Sequence, residues 1–541
     1  MKNEIVIVLD FGGQYNQLIA RRVRELGVYS EVKPCTLTAA ELREIAPKGI
    51  IFTGGPQSVY AADSPVCDPE IFRLGIPILG ICYGAQLMAH LLGGRVDTAP
   101  VSEYGHTAVT TDSRTVLFGG TFGAQPGAFE DRVHPLQAVS PETTMWMSHT
   151  DYIAEVPDGF RVTAHTPVCP VAAMQDDEWG LYAVQFHPEV THSQEGMKVL
   201  SNFVFGVCRC AGDWQMSTFI EDTVAALRTK IGGDRVLLGL SGGVDSTVAA
   251  VLLSRAIGKQ LTCVFVDHGL MRKNEGDEVE AVFGPAGDFD LNFIRVNAQD
   301  RYYQKLAGVT EPEQKRKIIG AEFIQVFGDE ARRLAGEGGF RYIAQGTIYP
   351  DVVESGAGGQ SGAVIKSHHN VGGLPKELVV ELGFDEKPVE PLRDLFKDEV
   401  RRVGLALGIP EHLVMRQPFP GPGLGVRIVG EVTPEKVRIV QEADAVFRDE
   451  LSAAGVDAEL GQYFAALTNM RSVGVMGDGR TYDYAVCLRA VLTTDFMTAE
   501  AAEIPWDVLQ RTMVRIINEV KGVNRVLYDL TSKPPGTIEL E

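Results

Sequence analysis

A cysteine, a histidine and a glutamate have the types needed for nucleophilic acyl chemistry. Cys82 lies in GICYGAQ, at the end of an apolar run and flanked by Gly80 and Gly84, while His187 and Glu189 lie in FHPE, at the end of another. Small neighbours permit the tight strand-to-helix turn of a nucleophile elbow, which lifts a sulfur out of a sheet and onto the N-terminus of the next helix. An ordinary thiol is only about 3% thiolate at neutral pH, so a competent nucleophile needs the helix dipole and a neighbouring imidazolium. His187 can serve as base and then acid, with Glu189 fixing its tautomer. The amides of Gly55, in TGGPQS, and of Tyr83 are candidate donors to an oxyanion. Taken singly, each residue also has an ordinary reading, since free cysteine is usually packing and a lone histidine often sits at a surface.

A second constellation is SGGVDST at residues 241–247. It follows the aliphatic run 236–240, expected to be a buried parallel strand, and precedes an apolar segment expected to be a helix opening at Ser246 or Thr247 and stopping at Gly258. Gly242 and Gly243 have no Cβ to hold a polyphosphate away, and the first amides of a helix are unpaired donors at the positive end of its dipole. Ser241, Ser246 and Thr247 add hydroxyls. A glycine turn between strand and helix is common and often binds nothing. Asp245, however, is electrostatically out of place beside phosphate unless a divalent metal stands between them. No lysine lies in the loop, so it is not a GxxxxGK[ST] phosphate loop.

These residues need elements to position them, and the chain supplies α/β patterning. Apolar runs at 5–9, 49–52 and 76–80 alternate with amphipathic stretches such as 17–26, and 181–186 reads as a further strand. A boundary is expected near 205–214, before a helix at 218–230 with Ser217 as its N-cap. Runs at 261–266 and 342–345 are expected strands whose C-terminal ends carry DHG and GTIYPDVVES. Residues 313–320, EQKRKIIG, open a helix with three consecutive cations; such a run is usually a solvated face, but an acidic chain needs local positive charge for an anionic substrate. Residues 356–373 are glycine-rich around IKSHHN and suit a lid bearing Lys366 better than a metal site at His368 and His369. RQPFPGPGL at 416–424 marks a junction, 472–476 and 481–488 read as a hairpin, 506–520 as a helix, and the tail is expected to fray.

At 541 residues the chain is too long for one core. A formal charge of −21 argues against nucleic acid or anionic membrane as a partner. Eight scattered cysteines make no disulfide framework, and Cys208-Arg-Cys210 lacks a second pair for zinc. With no leader and no apolar run of about twenty residues, the expected location is cytoplasmic.

GGP, GICYGAQ and FHPE, in that order, closely resemble the class I glutamine amidotransferases. SGGVDST resembles the PP-loop of the N-type ATP pyrophosphatases, which cut ATP between its α and β phosphates. RQPFPGPGL, VGVMGDGRTYDY, LRAV, DFMTAE and TSKPPGTIE extend the resemblance over essentially the whole chain, to the glutamine-hydrolysing GMP synthase family. The resemblance implies two doubly wound open-sheet α/β domains, an amidotransferase at 1–207 and an ATP pyrophosphatase at 208–415, followed by a small α+β dimerisation and nucleotide-binding domain at 416–541. It implies that Cys82 attacks glutamine's side-chain amide and that residues 241–247 (Ser241, Gly242, Gly243, Val244, Asp245, Ser246, Thr247) bind ATP with Val266, Asp245 also meeting Mg²⁺. It implies xanthosine monophosphate contacts at Arg316, Lys533, Ile538 and Glu539, a lid lysine at 366, and a homodimer. MWMSHTD at 145–151 corresponds to a substrate-positioning loop with Thr150 in place of glycine, and Leu540 replaces a common tryptophan. Two other readings stay open. A tRNA-thiolating PP-loop enzyme would need a basic face and a cysteine pair in this half, and a nucleotide sensor would carry a dead glutaminase.

Overall fold

The computed structural model describes residues 4–119, 134–336, 339–356, 380–385, 387–476, 479–493 and 498–541. It divides into two compact units, Met1–Phe219 and Ile220–Glu541.

In the first unit β1 (Ile5–Asp10), β2 (Tyr29–Pro34), β3 (Gly49–Phe52), β4 (Ile78–Ile81), β5 (Arg95–Thr111), β6 (Glu142–Glu155), β7 (Arg161–His165), β8 (Ala173–Asp176) and β9 (Leu181–Val184) form one sheet. The order is β2-β1-β3-β4-β9-β8-β7-β5-β6. The first five strands in that order run parallel, and the reversal of winding at β1 is doubly wound topology. The last four continue the sheet antiparallel. β3, β4 and β9 are buried throughout and read as unbroken apolar runs, as strands covered on both faces must.

Helices Asn16–Glu25 and Ala39–Ile45 connect parallel strands, the second with a capping box between Thr38 and Glu41, and Tyr83–Leu91 leads from β4 to β5. MWMSHTD is strand rather than loop, falling inside β6. Thr143, Met145, Met147 and His149 alternate as its buried face, and the period of two in TMWMSHT is the physical reason.

In the second unit β10 (Val236–Leu240), β11 (Leu261–Asp267), β12 (Asn292–Asn297) and β13 (Tyr342–Ala344) make a parallel sheet of order β12-β11-β10-β13. The order reverses at β10, so the loop after β10 lies at a topological switch point, where α/β sheets bind ligands. The following helix, Val244–Ile257, starts earlier than expected, with Gly243 as its N-cap and Asp245 in the first turn. Helix Met216–Ile231 also starts early, so Ser217 sits inside its first turn rather than capping it. The β-rich remainder has β14 (Gln462–Met476) and β15 (Gly479–Leu492) as an antiparallel hairpin, joined by β16 (Glu500–Ala501) and by β17 (Val523–Tyr528), parallel to β15. One hydrophobic core runs from Leu237 and Val264 of the parallel sheet to Ala465, Val486 and Leu488 of this hairpin.

The tail does not fray: Lys533 pairs with Ala499 through both backbone groups, and Ile538 is buried. Among the described residues all eight cysteines are free, and no helix is long and apolar enough to cross a membrane.

The elbow in the first unit depends on glycine. A Cβ on Gly84 would lie 2.6 Å from Phe52 Cβ and 2.8 Å from Phe52 O. Gly84→Ala is therefore expected to destabilise this unit by about 1–3 kcal/mol, as overpacking does. Thermal unfolding would read this as a lowered midpoint, and an unchanged midpoint would refute the close approach.

Candidate active sites

Parallel pairing of β4 with β9 sets Gly80 against Ala183 and Ile81 against Val184, so residues more than a hundred apart in sequence leave the sheet side by side. Cys82 follows β4 at φ 52, ψ −107, and its N–H donates to Val184 O at 2.8 Å. A non-glycine residue at positive φ is strained, and here it is the elbow expected from GICYGAQ. A Cβ on Gly80 would meet Gly84 O at 2.7 Å and Ala85 N at 2.8 Å, which explains the small neighbours.

His187 follows β9. Its Nδ1 hydrogen-bonds Glu189 Oε1 at 2.7 Å, its ring is in hydrogen-bonding reach of the Cys82 sulfur, and Tyr15 packs edge-on at 5.3 Å. The His187 backbone is held by its N–H to Trp146 O and by Ser193 Oγ donating to its carbonyl. Burial acts to strip the proton from this imidazole, but the Glu189 carboxylate and the Cys82 sulfur outweigh it, and the pKa stands well above the ordinary value. The geometry agrees. Glu189 is 1% exposed with Oε2 unpartnered, and a carboxylate buried in this way requires a cation beside it.

The structure brings the two candidate oxyanion donors together: a Cβ on Gly55 would lie 2.9 Å from Tyr83 Cγ. Tyr83 is the first residue of its helix, whose leading amides have no partner within the helix. A Cβ on the neighbouring Gly54 would be 3.4 Å from His187 Cε1 and 3.8 Å from Cys82 Cβ. Thiol, imidazole and the Gly54–Gly55 backbone with its candidate oxyanion donor therefore lie close together, an arrangement able to cleave an amide through a thioester. Sequence reasoning missed Gln185 and Gln86. Gln185 Nε2 lies 3.7 Å from the Cys82 sulfur, and Gln86 Nε2 donates to Gln185 Oε1 at 3.2 Å and to Asp151 O at 2.7 Å. Gln86 closes GICYGAQ and Gln185 precedes FHPE, so only their places beside those motifs could have pointed to them.

In the second unit Gly242 takes φ +77 and Gly243 caps the helix. Ser246 Oγ receives Ser241 N–H at 3.2 Å, pairs with Ser241 Oγ at 2.9 Å and donates to Gly243 O at 3.1 Å. Thr247 N–H returns to Gly243 O at 3.1 Å. Val244 and Val266 are 5% and 3% exposed, so only their main chains could serve a ligand.

Asp245 has a partner that its place in the loop did not suggest. Lys397, 152 residues away on helix Lys397–Ala406, donates to both its carboxylate oxygens at 2.7 Å. Lys397 thus places a positive charge against the loop's aspartate. Arg416, from the stretch read as a junction, donates to Gly242 O at 3.1 Å and to Glu275 Oε1 at 2.6 Å. Neither residue carries a local signal, because each meets the loop only through tertiary folding. From the GTIYP segment, a Cβ on Gly346 would lie 2.9 Å from Ser246 N. At the end of β11, Asp267 is paired with Arg295, and burial pushes the His268 pKa down to about 4. Cys263 is fully buried and burial pushes its thiol up, so it has no access to a substrate. Lys366, His368 and His369 lie outside the described residues.

Arg316, on helix Pro312–Ala335, hydrogen-bonds the main-chain oxygen of Glu541. Its buried neighbour Lys315 ion-pairs with the Glu541 carboxylate and donates to Ile428 O and Gly430 O. Glu539 is gripped by Arg427 through Nε at 3.0 Å and Nη2 at 2.9 Å, and by Gln462. Ile538 O accepts from Arg489 at 2.7 Å. The helix carrying Arg316 and the tail carrying Ile538 and Glu539 are therefore neighbours, and the backbone of Lys533 pairs with that of Ala499.

Fold and sites together define a two-site enzyme of the glutamine amidotransferase class, with a second, phosphate-loop α/β unit. Residues 7–207 match the family model for class-I glutamine amidotransferase, 215–314 that for NAD synthase, and 449–540 that for the GMP synthase C terminal domain. Over the full length of both chains, this chain is 64% identical to glutamine-hydrolysing GMP synthases of two Clostridium botulinum strains, Alaska E43 and Eklund 17B. It is 63% identical to that of Lachnospira eligens, again over the full length of both. The chain belongs to the glutamine-hydrolysing GMP synthase family.

Removing the Glu189 charge tests the electrostatics of the first site. A raised pKa keeps His187 protonated until pH rises through it, so without the carboxylate the imidazolium is lost at lower pH. Glu189→Gln is expected to move the alkaline limb of kcat/KM for glutamine hydrolysis to lower pH; an unmoved limb would show that Glu189 does not set the His187 proton.

Proposed function

We propose that this chain makes GMP in two coupled half-reactions, one in each unit. The observation that carries the reading is the Cys82–His187–Glu189 cluster in the same chain as a phosphate loop at a switch point. In the first unit the Cys82 sulfur attacks the side-chain carbonyl carbon of glutamine, and the Gly55 and Tyr83 amides receive the negative oxygen. His187 gives a proton to the departing ammonia, then takes one from the water that hydrolyses the glutamyl thioester, and glutamate leaves.

In the second unit the C2 oxygen of xanthosine monophosphate attacks the α phosphorus of ATP. Pyrophosphate departs into the loop formed by Ser241, Gly242, Gly243, Val244, Asp245, Ser246 and Thr247, with Val266 on the adenosine side and Lys397 as the cation. Ammonia then adds at C2, and the C2 oxygen leaves with AMP. Adenylylation makes chemical sense because a carbonyl oxygen is a poor leaving group and AMP is a good one. Arg316, Lys533, Ile538 and Glu539 hold the xanthine nucleotide. Asp245 is a hard oxygen donor suited to Mg²⁺, which would supply further neutralisation of the phosphates. Residues 1–207, 208–415 and 416–541 act as amidotransferase, pyrophosphatase and dimerisation domains of a cytoplasmic homodimer.

Two variants separate the halves. Cys82→Ala is expected to cut glutamine-dependent synthesis by about 10³-fold or more while leaving synthesis from ammonium salts unchanged. Lys397→Met is expected to cut synthesis from either nitrogen source by about 10²- to 10³-fold with glutaminase chemistry intact. Loss of both activities in Cys82→Ala would refute the division of labour, and full ammonia-dependent activity in Lys397→Met would remove that lysine from the site.

A further inference from the structure

Beyond His187 and Glu189, a second buried polar chain reaches the Cys82 sulfur. It begins at Thr166, whose Oγ1 donates to Glu103 Oε1 at 2.7 Å. Glu103 Oε2 lies 3.1 Å from His149 Nε2, and His149 Nδ1 lies 3.0 Å from Asp151 O. Gln86 donates to that same carbonyl and to Gln185, whose Nε2 ends the chain at the sulfur. The sulfur also lies 3.7 Å from Ser148 O, one residue from His149. Glu103, His149, Thr166, Gln86 and Gln185 are 7%, 5%, 4%, 4% and 1% exposed. Glu103 and His149 stand directly opposite in the β5–β6 ladder, at the point where pairing resumes after a register shift. A carbonyl can only accept, so His149 Nδ1 carries the hydrogen in its contact with Asp151 O. Burial lowers the His149 pKa, against the pull of Glu103.

We propose that Glu103 and His149 are positioning residues of the glutaminase: by fixing strand β6 and the Gln86–Gln185 bridge, they set where the Cys82 sulfur points when it attacks the amide. The same neighbourhood has a metal-like donor set, since ligand atoms of Glu103, His149 and Cys169 lie within 4.8 Å of one another. Each donor is already committed, however. Both Glu103 oxygens and both His149 nitrogens are in hydrogen bonds, and the Cys169 thiol faces Val171 O at 3.5 Å. Hydrogen bonding thus accounts for the cluster without an ion.

The proposal rests on Cys82 being the nucleophile, and its test keeps the two apart. Glutaminase kinetics would be measured for Cys82→Ala, Glu103→Ala, His149→Ala and Glu103→Gln, with thermal midpoints and zinc content of each purified protein. A misplaced nucleophile costs about 10²-fold, so Glu103→Ala and His149→Ala are expected to lower kcat by about 10- to 100-fold with KM little changed. Glu103→Gln is the discriminating variant. Its amide can accept from Thr166 and donate to His149 Nε2, so kcat should recover to within a few-fold of the native enzyme. Equal losses in Glu103→Gln and Glu103→Ala, or full kcat in both alanine variants, would overturn the relay. So would stoichiometric zinc that disappears in Glu103→Ala. Retained glutaminase in Cys82→Ala would instead overturn the nucleophile assignment itself.

Discussion

Both sites depend on parallel strand pairing at the carboxyl ends of a twisted sheet. In the first unit the β4–β9 ladder places the residues after Ile81 beside those after Val184, and the thiol and imidazole meet because two backbones are hydrogen-bonded in that register. In the second unit the reversal of strand order at β10 opens the space into which the loop after Leu240 projects. Parallel pairing needs helical crossovers, and a crossover puts a helix N-terminus at the same end of the sheet as the active loops. The chemistry of both units is therefore built on amides that the fold leaves unpaired.

The two sites manage charge in different ways. The first buries a carboxylate with one free oxygen and relies on the His187 imidazolium to compensate it, so proton affinity and stability come from one contact. The second lies in a chain of net charge −21 that must receive phosphates, and its cations are individually placed. Lys397 sits on Asp245, Arg416 ties the Gly242 carbonyl to Glu275, and Lys315 holds the carbonyls of Ile428 and Gly430. The tail is drawn into the same network. Arg427 is fully buried, and its pairing with Glu539 keeps the residues after 533 packed where a free tail would fray.

Much of this was legible in the linear chain. Predominantly apolar runs identified β10, β11 and β9, because strands buried on both faces have little room for polar side chains. Gly80, Cys82 and Gly84 announced an elbow because only residues without bulk fit against Gly84 O and Phe52. FHPE announced its dyad because His187 and Glu189 are close enough in sequence to meet across a single turn. The period of two in TMWMSHT was also present, although motif likeness suggested a loop there.

Residue types and local spacing thus determined the fold class and singled out Cys82, His187, Glu189 and residues 241–247 as candidate site groups, since each of these is encoded within a few consecutive residues. Tertiary structure alone decided what those groups touch. Lys397 reaches Asp245 across 152 residues, Gln185 reaches Cys82 across 103, and Glu103 meets His149 across 46. Such contacts have no periodicity and no local composition; the Gln185–Cys82 and Glu103–His149 contacts exist because strand order and register bring distant backbones together in a buried volume, and the Lys397–Asp245 pair because two helices meet.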